Sequence, residues 1–419
     1  MRTQWRARAA RMLGGGTPGR IIYLVSPAGH PNFGDELVAR TWLEHLAQVC
    51  PDDQVVLDCH TPGQAALLLR GAHPHVTFVD TLWRMIALAH ENARPGPVWE
   101  WCAHAAVTLG AEPRIDEGVA LLHRADALHL LGGGYLNAVW PHHTALVTAL
   151  GALAERFGIR AAASGQGLMP RVDGDAWEAL RGAARSFAVF DTRDRESYEA
   201  LAGVPGASRT GDDVWLRVDG ALRGDEALRG DEALQGDSAL QPAAASDGGV
   251  VLCLQSDLTE HFASDGRTGG EAVAGWAQRV LDSWEVRGSE VTVVEGIPGM
   301  DRLAYERLGE RLAGARFVPF RDLWHHGVPV GAGQTWLSTR FHLHLVAAAA
   351  GASGVAVATE PGYYEVKHRS LVDAGSRWTL VADGDTVPAR PTAGGFTPGS
   401  RRAAVAAKTA LADRLYPPR

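Results

Sequence analysis

Short apolar runs alternate along this chain with longer stretches in which apolar residues recur at helical spacing. In the first half of the chain the strand-like runs are Ile21–Val25, Gln54–Asp58, 75–79, 127–131, 160–164 and 187–190. Helical patterns follow several of them, for example at residues 36–49, 144–157 and 193–202. Strands that alternate with helices at this spacing predict a parallel sheet covered by helices on both faces.

The alternation stops at residue 219 and restarts at residue 250. Between them lies a short acidic repeat, GDEALR–GDEALQ–GDSALQ, whose period of six residues is too short for a solenoid. We interpret residues 219–248 as a low-complexity linker. After the linker, strand-like runs return at 250–254, 290–295, 316–319, 334–337, 355–359 and 378–381.

These patterns predict an α/β fold in which two Rossmann-like domains face a cleft. A chain of 419 residues is also too long for one ordinary hydrophobic core. We place the N-terminal domain at 21–218 and the C-terminal domain at 249–398. We expect a disordered leader at 1–20 and a terminal helix at 399–419 that crosses back onto the first domain.

Composition narrows the class of protein. Hydrophobic residues make up 46% of the chain and charged residues 21%, with a net charge of −8, which argues against a nucleic-acid binder. No apolar run reaches the length of a membrane span, and the arginine-rich leader lacks the apolar core of a secretory signal. The four cysteines form no C-x-x-C pair, so neither zinc nor a redox motif is indicated, and we predict buried thiols in a cytoplasmic protein.

The segment from Ser338 to His344 is the most informative motif. We predict that a strand at 334–337 turns directly into an alanine-rich helix, with Ser338 or Thr339 as its N-cap. Arg340 and His342 would then lie in the first turn, where cations are unfavourable unless an anion neutralises them. This arrangement predicts a socket for a phosphate or carboxylate. The alternative is an arginine that reaches solvent and a histidine in the core.

Other candidate groups follow the ends of predicted strands. Asp35 lies in a glycine-flanked loop after the first strand and could act as a base or simply cap a helix. Arg193 could bind an anion or pair with Asp194. The glycines at 132–134 lack the G-x-G-x-x-G spacing of a dinucleotide site. The adjacent pairs His142–His143 and His325–His326 have no nearby acidic partner, so we predict surface residues rather than metal ligands.

Seven short motifs, taken in order, resemble those of the polysaccharide pyruvyl transferases. They are HPNFGDE at 30–36, LGGG at 131–134, GQGLMP at 165–170, TRDRES at 192–197, GDD at 211–213, RFH at 340–342 and YEVK at 364–367. Each motif is short, but their order and spacing together are specific. The acidic repeat of the linker is an insertion peculiar to this chain.

The resemblance implies a glycosyltransferase-B-like fold, phosphoenolpyruvate (PEP) as donor and a sugar diol of a glycan or glycan precursor as acceptor. The product would be a pyruvate ketal, with no metal and no organic cofactor required. The acceptor would lie on the first domain and PEP mainly on the second, and a lipid-linked acceptor would bring the protein to a membrane surface. The substrate-binding residues implied by the motifs are Asn32, Gly34, Gly133, Gly134, Gln166 and Lys367.

The chemistry of this reaction fits the remaining candidates. PEP carries a carboxylate and a phosphate, so we predict that Arg340 and Arg193 supply two anion anchors. Ketal formation needs a proton at C3, and His342 is the predicted donor. Asp35 is the predicted base for the acceptor hydroxyls.

Two competing hypotheses share the same architecture. In a nucleotide-sugar glycosyltransferase, Arg340 would hold a diphosphate and Asp35 would again act as base. A non-catalytic glycan- or anion-binding relative would keep the fold without the reaction.

Overall fold

The computed structural model describes residues 19–91, 96–223, 249–331 and 333–417. The predicted leader lies outside the described residues except for Gly19 and Arg20, and the predicted linker lies outside them after Arg223. The domain boundaries proposed from the sequence therefore stay predictions. We refer below to residues 19–223 as the first half and to residues 249–417 as the second half.

A seven-stranded parallel sheet forms the centre of the first half, in the order β3-β2-β1-β4-β5-β6-β7. Its strands are β1 (Ile21–Val25), β2 (Gln54–Asp58), β3 (Val76–Val79), β4 (Ala127–Leu130), β5 (Arg160–Gln166), β6 (Val189–Thr192) and β7 (Ala207–Arg209). The helices that cover it are α1 (Phe33–Val49), α2 (Pro62–Leu68), α3 (Thr81–Glu91), α4 (Val98–Val107), α5 (Asp116–Arg124), α6 (Thr144–Phe157), α7 (Gly174–Ala184), α8 (Arg195–Ala200) and α9 (Gly220–Arg223).

A six-stranded parallel sheet forms the second half, in the order β12-β11-β8-β13-β14-β15. The strands of this half, including the short antiparallel hairpin β9–β10, are β8 (Val250–Cys253), β9 (Ala263–Ser264), β10 (Arg267–Thr268), β11 (Val291–Val294), β12 (Arg316–Val318), β13 (Thr335–Ser338), β14 (Ser353–Val357) and β15 (Thr379–Val381). Its helices are α10 (Gly269–Ser283), α11 (Leu303–Leu308), α12 (Phe320–His326), α13 (Phe341–Ala349), α14 (Tyr364–Asp373) and α15 (Pro398–Leu415). Short 3-10 helices lie at Pro113–Ile115, Pro141–His143, Asp213–Arg217, Gly288–Glu290 and Gly309–Leu312.

The strand orders place a crevice in each half. In the first sheet the chain runs outward through β2 and β3 on one side of β1, and through β4 to β7 on the other. In the second sheet the corresponding change of direction falls between β8 and β13. Loops diverge at such points at the carboxyl ends of the strands, and this is where α/β proteins bind ligands. The structure confirms the predicted class of two Rossmann-like, glycosyltransferase-B-like domains facing a cleft.

The last helix, α15, returns to the first half and is fixed there by a buried lysine. Lys408 is fully buried, and its Nζ lies 3.0 Å from carboxylate oxygens of both Asp191 and Asp213. Near the end of the helix, Arg160 donates hydrogen bonds to the carbonyls of Arg414 and Leu415. The first half is therefore completed by a helix from the far end of the chain.

Several helices begin or end elsewhere than the sequence predicts. Helix α1 begins at Phe33, three residues early, because the side chain of Asn32 accepts a hydrogen bond from the backbone of Gly34 and caps it. The predicted cap of α13 is also displaced. Ser338 uses its hydroxyl to close a turn with the backbone of Arg340, so Arg340 is the N-cap residue and the helix begins at Phe341.

Candidate active site

A cavity of about 330 Å³ lies between the two halves, at the carboxyl ends of both sheets. Of the residues predicted from the sequence, Asn32, Gly34, Asp35, Gly134, Arg193, Arg340, His342 and Lys367 border it. Gly133 and Gln166 do not. A volume of this size is typical of a small-molecule site.

The start of α1 is held against the second half. The backbone N–H of Phe33 donates to the carbonyl of Gly296 at 2.9 Å. A Cβ at Gly34 would overlap the imidazole of His342, so only glycine lets this ring lie directly on the helix backbone. Asn32 donates from Nδ2 to Asp35 Oδ2 at 2.9 Å and thereby orients that carboxylate in the first turn of the helix.

Asp35 is a carboxylate in an enclosed but cationic environment. Burial raises the pKa of Asp35 above its ordinary value, while Lys367, Arg193 and a protonated His342 oppose this shift. A carboxylate whose pKa is raised in this way is a stronger base than one in water.

The glycines after β4 let two cations approach the backbone. A Cβ at Gly134 would lie 2.6 Å from Arg193 Nη2 and 3.0 Å from Lys367 Nζ, so both charges occupy the space that a side chain would fill. The hydroxyl of Tyr363 donates to the carbonyl of Gly134 at 2.9 Å, which ties the second half to this turn. Arg193 comes from the end of β6 and Lys367 from α14.

Arg193 is buried, and its guanidinium makes no hydrogen bond to a residue that the structure describes. Its nearest carboxylates, on Asp212 and Asp194, lie at 3.7 and 4.0 Å, and its plane covers the ring of Phe341 with 4.6 Å between Cζ and the ring centroid. Within the described residues, no acceptor is hydrogen-bonded to the guanidinium. Buried polar groups are nearly always hydrogen-bonded, so these donors are suited to an anionic ligand.

Lys367, like Arg193, is buried at the cavity without a hydrogen-bonded carboxylate among the described residues. Its Nζ lies 3.3 Å from the ring centroid of Tyr363 and 4.6 Å from that of Tyr364. No carboxylate of the described ranges comes within ion-pairing distance of it. Burial, reinforced by the charge of Arg193, lowers the pKa of Lys367 well below its ordinary value.

His342 lies in the first turn of α13, between Gly34 and Asp212. Its Nε2 is 3.4 Å from Asp212 Oδ2, and neither atom has a hydrogen-bond partner among the described residues. Burial disfavours the charge on Asp212, but His342, Arg193 and the N–H of Val214 outweigh it and lower the pKa to about 2. The Asp212 carboxylate is therefore ionised at neutral pH and can stabilise a protonated imidazole.

The sequence predicts that Arg340 is open to an anion, but in the structure two carboxylates already bind its guanidinium. Its Nε and Nη2 donate to Asp301 Oδ1 at 2.9 and 2.6 Å, and Nη2 also donates to Asp257 Oδ1 at 2.6 Å. Its Nη1 reaches Asp257 Oδ2 and the hydroxyl of Tyr364 at 3.4 and 3.3 Å. An anion could contact this guanidinium only by displacing Asp257, whose side chain is 32% exposed.

The comparisons with known proteins identify a family and a fold. The family model for polysaccharide pyruvyl transferase matches residues 32–259, which is more than half of the chain.

The chain belongs to the polysaccharide pyruvyl transferase family.

One solved structure shows the same fold at low sequence identity, and a second is reported beside it. A Listeria monocytogenes protein described as a UDP-N-acetylglucosamine 2-epimerase aligns over 95% of this chain and 88% of its own, with 9% identity and a TM-score of 0.50. The UDP-GlcNAc 2-epimerase of Neisseria meningitidis aligns over 95% and 93%, with 10% identity and a TM-score of 0.49. No curated protein matches the sequence.

The family match includes only part of the cavity. Asn32, Asp35, Arg193 and Asp212 lie within it, whereas His342 and Lys367 lie beyond residue 259. The fold brings both groups to one place. In this pyruvyl transferase family member the second half thus adds two of the three basic side chains nearest Gly34 and Gly134.

Gln166 has a structural position rather than the predicted one at the substrate. It is fully buried, and its Nε2 donates to the carbonyls of Leu130, Leu131 and Ser164 at 3.1, 2.8 and 3.0 Å. The amide therefore fixes the ends of β4 and β5, which carry the glycine turns. Gly133 forms a β-bridge with Gln166 in the same arrangement.

His143 and its neighbours are site residues that the sequence did not reveal. We predicted a surface position for His143, but it is only 7% exposed, borders the cavity and donates from Nδ1 to the carbonyl of Tyr135 at 2.9 Å. His60, Trp140 and Tyr363 also line the cavity. An isolated aromatic or histidine in a loop carries no periodic signal, so only the folded chain shows that these side chains meet.

Two broader features bear on function. Within the described ranges, no helix combines the length and hydropathy needed to span a bilayer. Nowhere in that part of the chain do three His, Cys, Asp or Glu side chains come together in a way that could hold a metal ion.

Proposed function

We propose that this protein transfers the pyruvyl group of PEP to two hydroxyls of a sugar, in a glycan or glycan precursor, and forms a cyclic pyruvate ketal. Membership of the polysaccharide pyruvyl transferase family supports the reaction class. The cavity between the two halves supports the donor, because its cationic side chains match a small molecule with two anionic groups.

The observation that carries the proposal is the meeting of Arg193 and Lys367 at Gly134. Both basic side chains are buried, and neither is hydrogen-bonded to a carboxylate of the described residues. Burial and the charge of Arg193 disfavour the protonated form of Lys367, and an anion bound beside it would favour that form. A buried charge is unfavourable unless it is paired, so a bound anion would stabilise the site. Arginine offers a planar fork suited to a carboxylate or phosphate, and lysine a point charge that suits phosphate.

The reaction needs one proton donor and one base. As the first acceptor hydroxyl adds to C2 of PEP, His342 gives a proton to C3, which becomes the methyl group, and Asp35 takes the hydroxyl proton. The bond between C2 and the phosphate oxygen then breaks, and inorganic phosphate leaves with its electron pair. The phosphate takes the proton held by Asp35. The second hydroxyl adds to C2 and gives its proton to His342, which became neutral in the first step, and the ketal closes. Asp212 stabilises the protonated form of His342 before the transfer.

Arg340 has a revised role in this proposal. Its contacts with Asp301 and Tyr364 fix the junction between β13 and α13, from which His342 projects. We assign it primarily to positioning, with direct contact to the donor only after Asp257 has moved.

A coupled assay tests the proposal. The purified full chain is incubated with PEP and a panel of sugars and glycan precursors, and phosphate release is measured together with the mass of the acceptor. We expect phosphate release that depends on the acceptor, and a product that carries a pyruvyl ketal. Turnover of UDP-sugars without turnover of PEP would contradict the proposal and favour a glycosyltransferase. Binding of PEP without turnover of any acceptor would favour a non-catalytic relative.

A further inference from the structure

We propose that four side chains at one end of the cavity form the acceptor subsite and bind an uncharged pyranose ring. They are His30, His60, Trp140 and His143, and we call them the imidazole–indole wall. This inference rests on the proposed function, since it names where and how the acceptor sugar binds. All four border the cavity. His30 opens the motif at 30–36, but the sequence assigns it no role, and the other three lie outside the seven motifs.

The order of the strands separates the wall from the cationic groups. His60 follows β2, His30 and Asp35 follow β1, and Arg193 follows β6. Neighbouring strands are about 4.8 Å apart, so four strand spacings, or roughly 19 Å, separate the ends of β2 and β6. Trp140 and His143 follow β4 but return toward β2, since His143 lies 5.2 Å from Trp83 and 6.3 Å from His60 between ring centroids. His60 therefore stands at the β2 end of the cavity and Arg193 at the β6 end, with Asp35 between them. Trp140 reaches the middle of the cavity, where its ring lies 5.9 Å from that of Tyr363, the ring that Lys367 covers.

The wall offers flat surfaces to a ligand. The ring centroids of the exposed His60 and the buried Trp83 are 3.8 Å apart, with the two planes tilted by 37°, and the plane of Trp140 lies within 14° of that of His143. A pyranose has an apolar face made of C–H groups and an edge of hydroxyls. Rigid aromatic surfaces bind such an amphipathic ring with a small loss of conformational entropy.

The wall can also accept a hydrogen bond from a hydroxyl of the sugar. The carbonyl of Tyr135 can only accept, so the proton of His143 must be on Nδ1, and Nε2 is left as an acceptor. No described residue is hydrogen-bonded to that nitrogen. Burial, with lesser effects of neighbouring histidines, lowers the pKa of His143 to about 3. The buried ring of the wall is therefore neutral near pH 7, and the wall contains no arginine or lysine to pair with a carboxylated sugar.

The position of Asp35 connects the wall to the reaction. His30 and Asp35 lie on one short segment, from the loop after β1 to the first turn of α1. A sugar on the wall would direct hydroxyls toward the Asp35 carboxylate, with the donor on the far side at Arg193 and Lys367. In this arrangement PEP occupies the part of the cavity beside Arg193 and Lys367, and the sugar occupies the part beside the wall.

Ligand-observed saturation-transfer NMR tests the wall on the full chain. The probes are the methyl glycosides of galactose, glucose and mannose, with methyl glucuronide as the anionic comparison. We expect the parent protein to bind at least one neutral glycoside, with saturation strongest on ring C–H protons. Trp140→Ala and His60→Ala should each weaken that binding about fivefold or more, while Trp140→Phe should retain it because a ring remains. Tyr198→Ala, which removes an exposed aromatic ring from α8, is the matched control.

Separate calorimetry with PEP distinguishes the two proposals. If the wall variants lose glycoside binding and retain PEP affinity, the subsite is supported. The inference is overturned if no neutral glycoside binds the parent, if Trp140→Ala and His60→Ala both bind as well as the parent, or if the glucuronide binds best. If PEP fails to bind while the glycosides respond to the wall variants, the donor assignment fails and the wall stands.

Discussion

Arg340 and Arg193 are both buried guanidiniums at the cavity, but their partners differ. Arg340 is neutralised by two carboxylates at hydrogen-bond distance, whereas Arg193 has carboxylates only at 3.7 and 4.0 Å. Asp301 alone would balance the charge of Arg340, so Asp257 adds a net negative charge at the border of the cavity. The residue that was most prominent in the sequence is therefore the less accessible of the two.

Asp257→Asn should tighten PEP binding. The substitution keeps the size of the side chain and removes a charge that repels the donor. Removal of one partly exposed charge is worth about 0.5–1 kcal/mol, or about two- to fivefold in affinity. Calorimetric titration measures it, with Asp175→Asn, at an exposed position of α7, as the matched control. Weaker PEP binding in the Asp257 variant would mean that the carboxylate supports the donor instead.

His342→Ala should bind PEP and turn it over about 100-fold more slowly, the usual effect of losing a general acid. His342→Asn should be equally slow, because the amide N–H is far too weak an acid to transfer its proton. Steady-state kinetics with PEP as the varied substrate separates the two effects. A variant that loses PEP affinity and retains turnover would make His342 a donor ligand rather than the acid.

At the scale of elements, the loop after β1 is tied to α1 by a buried carboxyl group. Glu36 is fully buried and its Oε1 accepts from the backbone of Gly29 at 2.7 Å. Burial raises the pKa of Glu36 to about 8, with a smaller contribution from Asp35, while Gly29 and Arg40 oppose the shift. The loop that carries the site is therefore attached through a group that is protonated at neutral pH.

This attachment predicts a pH dependence of stability. The folded state binds the proton of Glu36 more tightly than the unfolded chain, so its stabilising effect is complete below the ordinary carboxyl pKa and is lost as the pH rises through about 8. The free energy of unfolding of the parent should fall between about pH 5 and about pH 8, and Glu36→Gln should remove part of that fall. Urea denaturation at both pH values measures it. Glu178→Gln, on the surface of α7, is the control. A parallel pH dependence in parent and Glu36→Gln would contradict the assignment.

Helix α15 predicts a second element-scale effect. Burial lowers the pKa of Lys408, but the charges of Asp191 and Asp213 outweigh it and raise that pKa, so the lysine is a cation in the folded protein. Lys408→Met would leave the two buried carboxylates without that cation. Breaking such a buried pair costs about 3–5 kcal/mol. Chemical denaturation should show this loss for Lys408→Met and almost none for Arg402→Met, which alters an exposed position of the same helix. Equal stability of the two variants would show that α15 is not fixed by its lysine.

At the scale of the whole molecule, the sequence predicts the architecture well. Apolar runs such as Ile21–Val25 are fully buried strands, and their alternation with helices requires parallel sheets. Motifs at strand ends also predict most of the cavity, because parallel strands bring their carboxyl ends to one edge. Asp35, Arg193 and His342 meet for this reason.

The partners of these residues could not be predicted in the same way. Arg340 is paired with Asp301 and Asp257, which lie 39 and 83 residues away and share no motif with it. The short hairpin β9–β10 and the strand β7 have two or three residues per strand, too few for an alternation pattern to be recognised. Pairwise contacts between loops depend on the packing of both sheets, and the local sequence does not encode them.

The central claim is that Arg193 and Lys367 bind the anionic donor between the two halves. PEP titration of the parent, Arg193→Met and Lys367→Met by calorimetry tests it most directly, with Arg195→Met as a matched exposed control on the same segment. We predict that each of the first two variants weakens PEP binding by about tenfold or more, since a lost charge-assisted hydrogen bond costs about 1.5–3 kcal/mol. The Arg195 variant should bind as the parent does. Unchanged PEP affinity in both Arg193→Met and Lys367→Met would contradict the account.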